Sequence, residues 1–326
     1  MSYSKHIYLL AQGKIESRRK AAEESLEERK AEAYSKIPKL LEIQNRIAAL
    51  GAQAVSAISK GAEAPAFIES LAKESLAAQQ ERRELLKAAG FPEDYLEVHY
   101  TCDICSDTGI KEDGICTCQR EMLIETAVNE IEKVAPLRRS TFDSFLLDYY
   151  PEAVDGSGIS PKSRMGEIKQ FCNDYALDFS LSSPSLFMHG ATGLGKTHLS
   201  LAVANEAIKK GFGVVYGSAP NLFGTLEREH FGRQYSGEKT YEQELLETDL
   251  LIIDDLGVEF STQFTVSCVY NIINSRILSR KPTIISTNLT PRELEEKYTQ
   301  RITSRIIGNF ISLRFVGRDI RQIQSY

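Results

Sequence analysis

The last 160 or so residues predict an α/β domain, a parallel sheet with helices on both faces, preceded by a helical N-terminal region and a small metal-binding module. Three observations predict it. Apolar runs alternate with helical stretches from about residue 166 onward. A glycine-rich phosphate loop stands between the first such run and the first such helix. Four of the six cysteines crowd into the seventeen residues from Cys102 to Cys118.

A length of 326 residues suggests more than one domain. Composition divides the chain into a helical region over 1–98, a cysteine module and helix over 99–134, a linker over 135–165 and the α/β domain over 166–326. The net charge of −6 argues against a uniformly basic nucleic-acid coat protein but leaves room for a local basic patch. No run reaches the roughly 18 apolar residues of a membrane helix. The opening MSYSKHIYLLAQGK lacks a small-residue cleavage site. The expected compartment is the cytoplasm, with no membrane partner.

Residues 1–98 are rich in Ala, Glu, Lys, Arg and Leu. No proline or glycine falls between Ile15 and Ile37, which predicts a helical hairpin or coiled coil. Leu40, Ile43, Ile47 and Leu50 form one apolar stripe at helical spacing. Gly51, Gly61 and the segment AEAPAF mark breaks, and a further helix is expected from about Pro65 to Ala89. Such a region either packs on itself with a solvated charged face or docks a partner protein.

The segment HYTCDICSDTGIKEDGICTCQREM pairs C-x-x-C with a C-x-C ten residues later. Four thiolates, from Cys102, Cys105, Cys116 and Cys118, make a closed tetrahedral Zn²⁺ site. The tight C-x-C leaves His99 as a replacement for one thiolate, and two disulfides or an iron–sulfur cluster as other outcomes. Cys172 and Cys268 read as buried free thiols. A helix follows over about 120–134.

Strands are expected at 185–188, 213–216, 250–253, 283–286 and 311–316, with helices at about 196–210, 262–279 and 291–306. Between the first strand and first helix lies G-x-x-x-x-G-K-T, so a nucleotide is expected on Gly190, Ala191, Thr192, Gly193, Leu194, Gly195, Lys196, Thr197 and His198. Glycines let backbone N–H groups turn toward phosphate oxygens, and the helix N-terminus adds partial positive charge. Lys196 reaches the β- and γ-phosphates, and the Thr197 hydroxyl can ligate Mg²⁺. This makes ATP the expected ligand.

The run LLIIDDLG is a buried parallel strand ending in two carboxylates. Ligands of open α/β sheets sit at the carboxyl ends of strands, so Asp254 would hold Mg²⁺ and Asp255 would activate the attacking water. Asn288, ending TIISTN, can donate and accept and would stand between water and γ-phosphate; the alternative is a cap on the next helix. In RITSRI, Arg305 offers a fork of donors to a phosphate, with Arg301 as the competing candidate. Arg321, or less strongly Arg318, would contact phosphate from the same chain. Phe142 is placed either near the adenine or in the core.

The acidic pair after the second motif strand resembles that of AAA+ ATPases, in which Asn288 would be the first sensor, Arg305 a finger reaching a neighbouring subunit, and Arg321 the second sensor. The usual second acid there is Glu; Asp255 is one methylene shorter, which predicts slow hydrolysis. About ten residues follow Gly317, too few for a multi-helix lid, so an α/β P-loop (AAA+) domain with little or no C-terminal lid is expected.

Together GATGLGKTHLSLAVAN, LLIIDDLGVEF, TIISTNLT, RITSRI and RFVGRDIR resemble the DnaC/DnaI-like replicative helicase loaders and the related IstB-like transposition ATPases. The N-terminal cysteine cluster favours the loaders. The resemblance implies an N-terminal part that binds a DnaB-type replicative helicase, single-stranded DNA as a further partner, and a homo-oligomer or an assembly on the helicase ring. ATP would act as an assembly switch. Arg228, Arg233 and Lys239 are weak candidates for the DNA contact. The competing readings are an IstB-like ATPase acting on duplex DNA, a protein-unfolding AAA+ enzyme, and a nucleotide-dependent scaffold with little catalysis.

Overall fold

The computed structural model describes residues 3–57, 64–154, 158–232 and 240–323. They divide into two units, one made of residues 12–119 and the other of residues 1–11 with 120–326.

The uninterrupted charged stretch forms one long helix, α1 (Lys5–Lys36), whose residues from Gln12 on belong to the first unit. Helices α2 (Lys39–Ala57) and α3 (Ala64–Ala88) follow. Leu40, Ile43 and Leu50 of the expected stripe are buried on α2. Glu81 of α3 lies 2.8 Å from both Lys39 and Arg46 of α2. Gly51 does not break the chain: α2 runs through it, since an exposed interior glycine costs a helix only about 1 kcal/mol. Gly61 lies outside the described residues. Ala33, Leu40, Leu86 and Leu96 form a small core, and Arg29 donates to the carbonyls of Tyr95 (2.7 Å) and Glu97 (3.0 Å), fixing the segment after α3. A two-stranded hairpin, β1 (Ile110–Lys111) and β2 (Gly114–Ile115), follows and leads into α4 (Thr117–Glu132).

The second unit is built on five parallel strands: β3 (Ser185–His189), β4 (Val214–Ser218), β5 (Leu250–Asp254), β6 (Thr283–Thr287) and β7 (Phe310–Arg314). Their order is β4-β5-β6-β3-β7. The continuous apolar runs fill the middle: every residue of β5 and β6 is buried. Such runs suit strands covered on both faces. The parallel register sets the carboxyl ends of β3, β5 and β6 side by side, with His189 opposite Thr287 and Ile253 opposite Ile285. The covering helices are α5 (Pro161–Leu177), α6 (Lys196–Lys209), α7 (Ala219–Phe231), α8 (Tyr241–Glu247), α9 (Gln263–Leu278), α10 (Pro291–Tyr298) and α11 (Gln300–Asn309), and α12 (Ile320–Ile323) follows β7.

Three differences from the sequence expectation bear on the site. Of the stretch 135–165, expected as a linker, several described residues pack into this unit: Leu137 is fully buried, Phe145 and Tyr150 nearly so, and α5 already begins at Pro161. Aromatic content outweighed the prolines and glycines there. The helix expected over 291–306 is two, broken at Thr299, whose φ of 84° and ψ of 151° end α10 and start α11. Tyr3 belongs to this core too, donating its hydroxyl to the Ile208 carbonyl at 3.2 Å.

Among the described residues no helix is long and apolar enough to cross a membrane.

Candidate nucleotide site and cysteine centre

Strand β3 delivers the chain to the phosphate loop, and α6 begins at Lys196 with Gly195 as its cap at φ 84°. A Cβ on Gly195 would come within 2.5 Å of the Phe145 ring, so glycine is needed there for space as well as for conformation. A cavity of about 320 Å³ opens over the loop. It is lined by Thr192, Gly193, Leu194, Gly195, Lys196, Thr197 and His198, by Asp255 and Asn288 from neighbouring strand ends, and by Arg321. Gly190 and Ala191 do not line it; their carbonyls accept from Lys196.

The Lys196 ammonium is buried and donates to the carbonyls of Gly190 and Ala191 and to Asn288 Oδ1, each at 2.7 Å. Burial pulls its pKa below the ordinary value; Asp255 and Asp254 oppose that shift and Arg321 adds to it. A desolvated cation held by loop carbonyls is ready to exchange them for an anion. Asn288 is free to make this contact because Thr290, not Asn288, caps α10: its hydroxyl accepts from Glu293 N, and Glu293 answers to Thr290 N.

Asp254 is 3% exposed at the end of β5. Its oxygens accept from Thr197 (3.1 Å), Tyr216 (2.8 Å) and Ser286 (2.5 Å). Burial and the adjoining Asp254 carboxylate raise the Tyr216 phenol far above its usual value, so it remains a donor. Thr197 and Asp254 thus offer hard oxygens side by side, a donor set that suits Mg²⁺ with its remaining ligands from water and phosphate. Asp255 sits at φ 54°, with its N–H on Ser286 Oγ (2.9 Å) and Asn288 Nδ2 3.4 Å from its Oδ1. Burial raises the Asp255 carboxyl above its usual range and Asp254 adds to the rise, while Lys196, Arg321 and Asn288 oppose it. A carboxylate with a raised pKa is a better proton acceptor.

His198 serves the cavity wall. Its Nε2 lies 2.8 Å from the Thr141 carbonyl and 3.1 Å from Ser144 Oγ, and its ring meets Phe145 edge-on. Phe145, rather than Phe142, lines the cavity; Phe142 packs against the core. Tyr150 donates to the Leu194 carbonyl at 2.9 Å, with burial holding its phenol protonated. On the other side Ile320 N–H donates to Gly193 O at 3.0 Å, and a side chain on Gly193 would overlap the Asp319 carboxylate. Sequence motifs missed Phe145, Tyr150, Tyr216, Ser286 and Asp319. The signals available were an aromatic-rich stretch and one serine within an apolar strand.

Arg305 does not line this cavity. It lies on α11, donating to the Tyr270 hydroxyl at 3.1 Å with its guanidinium over that ring at 5.3 Å. Arg301 lies exposed one turn earlier. Arg228 is exposed near the end of α7, whereas Arg233 and Lys239 lie outside the described residues.

In the other unit, the sulfurs of Cys102, Cys105, Cys116 and Cys118 lie within 4.8 Å of one another. The Cys102–Cys116 and Cys105–Cys118 separations are 3.8 and 3.4 Å. A disulfide would need about 2.05 Å. A tetrahedron with Zn–S bonds of about 2.3 Å has edges near 3.8 Å, so the set fits zinc. His99 is not in the group; exposed, it lies 3.2 Å from Asp94. Cys172 is buried as expected, but Cys268 is only partly so. The buried Asp107, which no motif marks, organises the first knuckle. It accepts from the N–H groups of Thr101 (2.8 Å) and Cys102 (3.0 Å) and pairs with Arg18 at 2.6 Å.

Residues 166–310 match the model of the family described as IstB-like ATP binding protein. The chain is 26% identical over 142 residues to the replicative helicase loader DnaC of Escherichia coli (strain K12), covering 43% of this chain and 58% of that protein. It is also 26% identical over 223 residues to the phage-like element PBSX protein XkdC of Bacillus subtilis (strain 168), covering 64% of this chain and 79% of that one. A crystal structure of the DnaC helicase loader aligns with a TM-score of 0.47 at 19% identity, over 56% of this chain and all of that one. Residues 166–310 thus form an α/β P-loop domain that resembles the IstB-like ATP binding proteins, and the chain spans less than two thirds of the length of the DnaC relatives it matches.

Proposed function

We propose that this chain is an ATP-switched loader that places a DnaB-type ring helicase on single-stranded DNA. The observations that carry the reading are the match to relatives named replicative helicase loader and the Lys196, Asp254 and Asn288 cluster within the residues that match the IstB-like family model. Lys196 gives up its loop carbonyls to hold the β- and γ-phosphates of ATP. Thr197 and Asp254 hold Mg²⁺, which when bound neutralises phosphate charge. Asp255 orients and deprotonates the attacking water, with Asn288 set between that water and the γ-phosphate. Phe145 and the residues around it form the wall against which the base rests. Arg321 contacts phosphate in the same subunit, and Arg305 reaches the phosphate held by a neighbouring one, so the working form is an oligomer or an assembly on the helicase ring. The cysteine module holds structural zinc beside a helical region that meets the helicase.

The test is a pull-down of a DnaB-type helicase from the same cell, with the intact chain and with Lys196→Ala. The expected result is a complex with the intact chain whose DNA-loading step is lost in the variant. A second reading is an IstB-like transposition ATPase acting on duplex DNA, which the match to the family described as IstB-like ATP binding protein favours. Tight ATP-dependent binding to duplex DNA with no helicase complex would establish it in place of the first.

A further inference from the structure

The loop that follows Asp255 is locked to the helical corner that carries Arg301 and Arg305. Leu256 and Gly257 continue from Asp255; the Thr287 hydroxyl donates to Leu256 O at 2.5 Å, holding the start of the loop to β6. Glu259 then turns inward and is 5% exposed, whereas its neighbours Val258 and Phe260 are 63% and 91% exposed. Its carboxylate accepts from Gly257 N at 2.9 Å and from the hydroxyl of the fully buried Tyr298. Lys297 completes the clamp from α10, donating to the carbonyls of Gly257 (2.5 Å) and Glu259 (2.9 Å).

Lys297 and Tyr298 are the last residues of α10. The next residue, Thr299, turns the chain at φ 84° and ψ 151°, a conformation that is strained for a β-branched residue and persists only where its surroundings impose it. Arg301 lies in the first turn of α11 and Arg305 one turn on. A buried carboxylate with two donors and a neighbouring ammonium is a rigid link, because releasing any partner leaves an uncompensated buried group. We propose that Glu259, through Tyr298 and Lys297, is a positioning residue that sets two things at once: the placement of Asp255 in its own site, and the direction in which α11 presents Arg305 to a neighbour's site. This rests on the proposed action of Arg305 on a neighbouring subunit. Each subunit's water-activating loop and its outgoing arginine would then move as one piece.

Mixed oligomers separate the two effects. An Arg305→Ala chain keeps its own site and sends out no arginine; a Lys196→Ala chain sends out the arginine and cannot use ATP. Their equimolar mixture is expected to recover ATP hydrolysis that neither shows alone. Adding Glu259→Gln to the Lys196→Ala chain should lower the recovered rate about tenfold or more, the scale on which ångström misplacements act. Adding it to the Arg305→Ala chain should also lower the rate, while that chain still binds a fluorescent ATP analogue normally. Tyr298→Phe, which removes only the hydroxyl, should show the same two-sided pattern. It also decides the matter if the Glu259→Gln melting curve shows a folding defect. Full recovery with an altered Lys196→Ala partner would overturn the inference while leaving the proposed function intact. No recovery with the two parent chains would overturn the neighbour-reaching arginine and the inference with it.

Discussion

Replacing Asp255 with Glu tests how the site sets its rate. The Asp255 carboxylate stands 3.4 Å from Asn288 Nδ2, at the long edge of hydrogen-bond reach. One added methylene carries the carboxylate about 1.5 Å further into the cavity. Because a misplacement near 1 Å costs roughly a hundredfold in rate, the expected gain in kcat is about ten- to a hundredfold. The KM for ATP should change little, since in the proposed site the phosphate contacts come from Lys196 and the loop. The backbone opposes the change. Asp255 sits at φ 54°, a region Asp visits more readily than Glu, so the variant should lose on the order of 1 kcal/mol and about 2–4 °C in Tm. Steady-state phosphate release at saturating MgATP, with a melting curve beside it, reads both effects. A folded Asp255→Glu variant that binds nucleotide normally but hydrolyses it no faster would refute the reasoning, because Asp would then already be the working length.

Asp255→Asn should abolish hydrolysis and raise thermal stability. The folded carboxyl titrates above its ordinary value of 3.8, so the fold favours the protonated form; that stability is present at low pH and lost as pH rises through the folded value. The Tm advantage of the Asn variant should therefore grow as pH rises above 3.8 through the folded value, and a constant advantage would contradict it. Purified protein should carry a single zinc ion per chain by metal analysis, and Cys116→Ser should release it and lower the Tm. Tyr150→Phe leaves the Leu194 carbonyl without its buried donor and should cost about 1–3 kcal/mol by chemical denaturation, with weaker ATP binding by titration calorimetry. Arg276 is 1% exposed, and burial draws its pKa down to about 9. It donates to the carbonyls of Leu245, Thr248 and Pro282, so Arg276→Leu should cost at least about 3 kcal/mol in the same assay.

The phosphate loop, the acidic pair and the C-x-x-C module were legible in the sequence because each chemistry constrains residue type at short, fixed spacing. The continuous apolar runs of β5 and β6 likewise marked central strands, since a strand buried on both faces has no polar side to display. What the sequence did not determine comes from residues far apart along the chain. Phe145 and Tyr150 lie about fifty residues before the loop they wall, in a stretch whose prolines and glycines read as a connection. Asp107 looks like any loop acid until Arg18 and two knuckle N–H groups converge on it. Whether Asn288 capped a helix or faced Lys196 depended on Thr290 taking the cap. Glu259 reads as a surface residue between two apolar ones until Tyr298 and Lys297 meet it. Local chemistry can be written into a few consecutive residues; a buried partner for a charge is supplied only when the chain folds back on itself.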